Sequence, residues 1–429
     1  MTSLRRRLLD DCFLHDKDRL RHDDALALLS ERLQPIAGIE EVALEAALGR
    51  VLAVDVAAER DVPGFDNAAV DGYAFAHADL SPDGATVLEV SDRVAAGAAV
   101  PKPLRPRTAA RIFTGAIMPQ GADTVIMQED VTRREEDGRA FVEIPAGLRR
   151  GANCRLAGED VKAGEIAIAA GERLRPQELA KIASIGLDRV ACRQRLKVAI
   201  ASTGDELIRP GAAYAPGRVY DSNHYLLSSL LTTAGTDVVD LGILPDDPVV
   251  VRETLLSAGE SVDILFTTGG ASRGEEDHVV ATLAEYGTLH AWQLAVKPGR
   301  PLAFGRIGDA AFLGLPGNPV AVMICFLLYA RPMLAMLEGA RWHPPQRYRI
   351  PAGFAIARKK PDRREFLRGW IEMEHGTAVL KRFPRDGSGL ISSLTAADGL
   401  IEIAEEVTEV AEGDLLDFIP FPELGLTPR

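Results

Sequence analysis

The stretch KVAIASTGDEL, Lys197 to Leu207, is an apolar run of strand length that breaks into a turn of glycine and acids. The same rhythm returns twice. Val238-Val239-Asp240-Leu241 leads to Asp246-Asp247-Pro248, and Ile264-Leu265-Phe266 leads to FTTGGASRGEED, Phe266 to Asp277. A helical segment over 223–234 separates the first two runs, and another precedes the third. Strand, loop and helix in threefold succession predict a doubly wound, mostly parallel α/β sheet. A strand pair, Pro301 to Gly305 and Ala310 to Leu315, then leads into LPGNP and a helix from Pro319.

Upstream, residues 22–34 carry Ala25, Leu26, Leu28, Leu29 and Leu33 at helical spacing, with Asp23 or Asp24 as the expected cap. Short apolar runs between turn signals such as Pro63-Gly64 and Asp71-Gly72 indicate a β-rich region that continues to about residue 150. Past Pro344-Pro345 the pattern returns to short alternating runs. The expected division is a helical segment over 1–54 packing on a connecting subdomain, a β-rich loop-bearing domain over 55–150, and that connecting subdomain over 151–190. The α/β domain then covers 191–340, and a small β-barrel-like domain covers 341–429.

With 429 residues, 47% of them hydrophobic, the chain can bury several cores. Its formal net charge of -13 excludes the basic footprint of a nucleic-acid binder. Cys12, Cys154, Cys192 and Cys325 are scattered without CxxC spacing, which fits a reducing cytoplasm. Asp10, Asp11, Asp16 and Asp18 interrupt the apolar core that an export signal would need after Arg5-Arg6-Arg7, so none is expected. The longest apolar run, Val320 to Ala330, falls short of the ~20 residues that cross a bilayer and reads as a buried helix.

In open parallel sheets, ligands bind beyond the carboxyl ends of the strands. Gly269, Gly270 and Ser272 at such an end form a candidate anion nest. Gly317 and Asn318, before Pro319, expose a helix N-terminus, and Lys297 and Arg300 in VKPGRP supply full charges. The helix end alone contributes only ~0.3–1 kcal/mol toward an anion, so the charges are needed. The acids Glu206, Asp246 and Asp277 at the same edge would repel a phosphate by ~1 kcal/mol each in water and ~4 at an effective dielectric of about 20. A divalent cation reverses that sign, so a metal and a phosphate are expected to share the site. The alternative reading of Asp246, Asp247 and Glu275 is that they cap helices. No HExxH, GxxxxGK[ST], strand-anchored GxGxxG or GxSxG occurs.

FDNAAVDGYAF, RIFTGAIMPQGADTVIMQED, AGEDV, STGDEL, VYDSN, FTTGGASRGEEDHV, VKPGRPLAFG and LPGNPVAV follow one another in this order between about residues 22 and 420. This set resembles the molybdopterin molybdenumtransferases, the bacterial MoeA proteins and the gephyrin E domain. The resemblance implies a homodimer of four-domain subunits that takes adenylylated molybdopterin, cleaves the adenylate with Mg²⁺ and inserts molybdate. A molybdopterin adenylyltransferase and apo-molybdoenzymes are the implied partners. Carried over, Asp71 and Thr114 are loop residues contributed by the partner subunit, and Arg155 and Asp160 belong to the substrate site. Asp277 and Lys297 act on the reacting groups, Arg273 lies in the anion nest, and Glu206, Asp246 and Asp277 hold the metal. Arg364, Arg368 and Ser392 are candidates for the molybdate side. The chain departs from the family at Ala68, Arg273 and Gln293, and Arg273 is expected to replace a lysine charge missing at Gln293. A non-catalytic scaffold and an adenylylating enzyme are the competing readings.

Overall fold

The computed structural model describes residues 20–269, 278–299 and 301–427. The chain enters through α1 (His22–Arg32). Arg21 is its N-cap, while Asp23 and Asp24 lie in the first turn, where acids complement the positive helix end. Ala25 and Leu29 of α1, with Leu33 beyond it, share a core with Leu334 and Leu337. The apolar stripe of the helix thus packs on the α/β unit, while Val42, Ala47 and Leu52 of the same 1–54 segment share a core with Leu174, Ile182 and Ile185 of residues 151–190.

His22 is 1% exposed, and its Nδ1 lies 2.9 Å from the Tyr329 hydroxyl. Burial first, then the charge of Arg364, pushes its pKa down from 6.5 to about 3. The folded value lies below the unfolded one, so the unfolded chain takes up this proton first as pH falls. The stabilisation from a neutral His22 is complete above pH 6.5 and is lost toward pH 3, at up to about 1.4 kcal/mol per pH unit. Denaturant midpoints at pH 7, 6, 5 and 4 should therefore fall more steeply for the native chain than for His22→Leu. Parallel curves would remove His22 from the acid response.

After β1 (Ile39–Ala43) come β2 (Gly72–Phe75), β3 (Thr86–Val94), β4 (Thr108–Ile112), β5 (Thr124–Met127), β6 (Thr132–Glu136) and β7 (Arg139–Ile144). The last six form one sheet in the order β5-β2-β4-β3-β7-β6, around a core that includes Tyr73, Phe75, Leu88 and Val142. The loops at the start of β2 and the end of β4 therefore sit side by side. The next elements are α2 (Pro176–Ser184) and β8 (Arg189–Arg193), and β8 pairs antiparallel with β1.

The α/β unit follows as β9 (Lys197–Thr203), α3 (Ser222–Thr233), β10 (Asp237–Leu244), α4 (Pro248–Ser261), β11 (Ile264–Thr268), α5 (His278–Tyr286), β12 (Gly287–Gln293), β13 (Pro301–Ile307) and β14 (Ala310–Leu315). The sheet order is β10-β9-β11-β14-β13-β12. The first four strands are parallel, β13 runs antiparallel to β14, and β12 antiparallel to β13. Strands β9, β11 and β14 are buried almost throughout, as in a sheet covered on both faces. One cover is α6 (Pro319–Glu338), a continuous helix with a π-helical stretch at Phe326–Ala330. At 20 residues it is longer than the apolar run alone indicates and long enough to cross a membrane, yet every side chain from Val320 to Ala330 is buried in the fold.

The terminal unit comprises β15 (Tyr348–Pro351), β16 (Arg364–Glu374), β17 (Thr377–Arg382), α7 (Ser392–Ala396), β18 (Gly399–Ile403) and β19 (Leu415–Pro420). Its strands run β16-β18-β19-β15, with β17 on the other side of β16. A bridge from Ala352 to Leu380 brings the β15 end back to β17, which gives the barrel-like curl. Val296-Lys297 adds to β16 and ties this unit to the α/β sheet.

Candidate functional site

Sheet order fixes the layout of the rim. Asp246 follows β10, Glu206 follows β9, Gly269 follows β11 and Gly317 follows β14, so neighbouring strands deliver them in line along the carboxyl edge. Gly204, at φ +132°, makes room for Glu206: a Cβ there would lie 2.3 Å from the Glu206 Oε2. The Asp246 N–H donates to the Asp205 carboxylate at 3.1 Å, which joins the first two loops. Asp247 proves to be a cap, accepting from Val249 and Val250 N–H at 2.8 and 3.2 Å. Asp246 makes no such cap. Both Glu206 and Asp246 are exposed.

Beside the rim is a cavity of about 440 Å³ lined by Gly269, Lys297, Gly317 and Asn318 among others. Asn318 stands at the N-cap of α6 and lines the cavity, and its side chain makes no capping bond. The loop before it is held by Asn223, whose Nδ2 donates to the Gly317 carbonyl at 2.7 Å. Asn223 belongs to VYDSN and carried no role in the sequence reading. Lys297 Nζ lies 3.3 Å from the buried Glu365 carboxylate, which Arg363 also contacts at 2.7 Å. Two cations share this one carboxylate, so Glu365 neutralises Lys297 only in part.

Asp386 and Ser388 of the terminal unit complete the lining. Sequence reasoning gave them no role: Asp386-Gly387 and Ser388-Gly389 read as a plain turn after a strand, and nothing local says that this turn reaches the cavity. Arg368, 3% exposed, positions their loop by donating to the Arg385 and Gly387 carbonyls at 3.2 and 3.4 Å. Its Nε bonds Ser393 Oγ at 3.0 Å, so Ser393 and not the exposed Ser392 is its partner. Arg364 is already engaged within the protein. Its guanidinium is taken up by Asp23, Glu402 and Glu405 at 2.7 to 3.0 Å, a tie between α1 and the terminal sheet.

Asp71, Thr114, Arg155 and Asp160 gather elsewhere, and none lines the cavity. The Gly115 N–H donates to Ala68 O and Ala69 N–H to Asn153 O, each at 2.8 Å, knitting three loops together. Ala68 is fully buried in this knot, so its methyl packs where a hydroxyl would need a partner. Arg155 and Asp160 are exposed beside it. Asp71 Oδ1 accepts from the Thr114 N–H at 2.8 Å and from its hydroxyl at 2.7 Å. Those two bonds, aided by Arg111, hold the Asp71 carboxyl below the usual carboxylate range. Asp71→Asn should lower turnover at least about tenfold, as loss of a positioned carboxylate does, with a little-changed denaturation midpoint because the Asn carbonyl oxygen can still accept both Thr114 bonds. Turnover within twofold of the native value would remove Asp71 from the chemistry.

Gly270, Ser272, Arg273, Asp277 and Arg300 lie outside the described residues. Among those described, no group of three or more His, Cys, Asp or Glu side chains could hold a metal by itself.

The fold defines a multi-domain α/β protein with a cavity at the carboxyl edge of its mostly parallel sheet. Residues 20–186 match the MoeA N-terminal region (domain I and II), 199–336 a probable molybdopterin binding domain, and 351–421 the MoeA C-terminal region (domain IV). The chain is 35% identical over 404 residues to the molybdopterin molybdenumtransferase of Haemophilus influenzae, covering 94% of this chain and 98% of the relative. It is 33% identical over 406 residues to molybdopterin molybdenumtransferase 2 of Mycobacterium tuberculosis, covering 92% and 97%. The crystal structure of the molybdopterin biosynthesis MoeA protein of Pyrococcus horikoshii OT3 superposes with a TM-score of 0.78 at 31% identity, covering 94% of this chain and all of that one. The chain belongs to the MoeA family of molybdopterin molybdenumtransferases, transferases of molybdenum cofactor biosynthesis.

Proposed function

We propose that the chain inserts molybdate into adenylylated molybdopterin with metal-dependent release of AMP. The observation that carries this reading is the convergence of Gly269, Lys297, Gly317 and Asn318 on one cavity at the carboxyl edge. Lys297 and the α6 N-terminus offset charge on the substrate's phosphoryl oxygens, while the Asn318 amide, which makes no capping bond, orients them. Asp277, assigned from its motif, orients or deprotonates the attacking water.

Glu206 and Asp246 suit Mg²⁺ in kind: they are hard oxygen donors, exposed, next to each other along the rim and without an ion-pair partner among the described residues. Bound there, with Asp277 as a further ligand, the ion would neutralise charge on the leaving adenylate. We further propose a homodimer in which the Asp71–Thr114 loops of one subunit complete the partner's site, consistent with their absence from the cavity of their own chain. The free thiols of Cys154, Cys192 and Cys325 support the cytoplasm as its compartment. A molybdopterin adenylyltransferase upstream and apo-molybdoenzymes downstream are the proposed partners.

The test mixes purified protein, adenylylated molybdopterin, Mg²⁺ and molybdate, then measures AMP and the reconstitution of an apo-molybdoenzyme. Both signals should rise together and stop when EDTA is added. Binding without AMP release would favour the scaffold reading instead.

A further inference from the structure

Next to the Asp71–Thr114 pair, five side chains alternate in a column. The Arg93 and Arg111 guanidinium carbons each lie 4.7 Å from the centroid of Phe113. Arg111 and Arg133 lie 5.2 and 5.5 Å from the centroid of Tyr73. The sheet builds this column: Tyr73 is in register with Arg111, and Arg111 with Arg93, on the adjacent strands β2, β4 and β3, so the three share one face. The rings cover guanidinium faces and leave their N–H edges outward.

Charge makes the column unusual for this chain. In a protein of net charge -13, none of these three arginines forms an ion pair among the described residues. Nearby, Arg105, just before β4, and Arg134 of β6 are paired, with Glu89 and Glu143. Arg111 spends donors on the Gly72 carbonyl at 2.9 Å and on Gln128 Oε1. Arg93 and Arg133 are exposed. Asp71, held anionic by Thr114, offsets only part of the charge of three guanidinium groups.

We propose that this column is an anion site for a tetrahedral oxyanion, the phosphoryl group of a nucleotide or a free metalate. Arg93 and Arg133 supply the N–H edges that bind it, and Arg111 positions them through the rings. The choice of these two ligand sources rests on the function proposed above. Arginine labelling by phenylglyoxal, read peptide by peptide by mass spectrometry, tests it on the full chain. Saturating AMP or molybdate should slow labelling of Arg93 and Arg133 at least fivefold, while exposed Arg189 keeps its rate. Protection by AMP alone assigns the site to a phosphoryl group, and protection by molybdate alone to the metalate. Unchanged labelling with both anions overturns the proposal. Protection in a protein that releases no AMP from adenylylated molybdopterin would sink the proposed function and leave the anion site standing; AMP release without protection would do the reverse.

Discussion

Lys297→Ala should lower kcat/KM for AMP release about 10²- to 10³-fold while the chain stays folded. Losing one preorganised donor to a developing charge costs on the order of 2.7–4 kcal/mol in other enzymes, and Lys297 is the charged donor in the described lining of the cavity. The fold survives because Glu365 keeps Arg363, 2.7 Å away, so no buried carboxylate is stranded. Lys297→Arg should retain part of the rate. Single-turnover AMP release, followed beside a denaturation curve, separates the two effects. A native rate in Lys297→Ala would mean that the cavity is not where the phosphoryl group reacts.

Gly72→Ala should do the opposite, striking the fold first. A Cβ on Gly72 would lie 1.9 Å from the Ile126 carbonyl oxygen and 2.8 Å from its carbon, both backbone atoms. Gly72 is in β2, paired on one side with Ile112 of β4 and on the other with Met127 of β5, so neither neighbour can move without breaking a ladder. The cost should be roughly 3 kcal/mol or more, at the top of the range for overpacking. Because Asp71 is the preceding residue and Gln128 N–H donates to its carbonyl at 3.1 Å, the Asp71–Thr114 pair should go with the strand. Urea unfolding and limited proteolysis between residues 62 and 130 would register it, and an unshifted midpoint would contradict the clash.

Much of this was legible in the sequence where a local rule carries the geometry. The strand-loop-helix rhythm from Lys197 fixed the parallel sheet and hence the rim, since strand ends are defined along the chain. Asn318-Pro319 marked the start of α6 for the same reason. What escaped depends on distant pairing. Asp386 and Ser388 reach the cavity only because Val296-Lys297 joins β16, a contact without local signature. Arg364 reads as a free cation in the sequence, yet its partners are 341 residues away at Asp23 and about forty residues on at Glu402 and Glu405. The seat of α1 likewise has no local signature, for an apolar stripe states that it is covered without stating by what.

The Val320 N–H at the start of α6 donates to the Ser388 carbonyl at 3.1 Å. The first turn of the sheet's covering helix is thus stitched to the terminal unit, and Phe366, Leu400 and Ile419 of that unit lie in one core with Phe266 and Leu313. Grafting a foreign tail onto this chain would therefore mean reshaping the ligand's doorway, because the two lips of that doorway are cut from the same piece of packing.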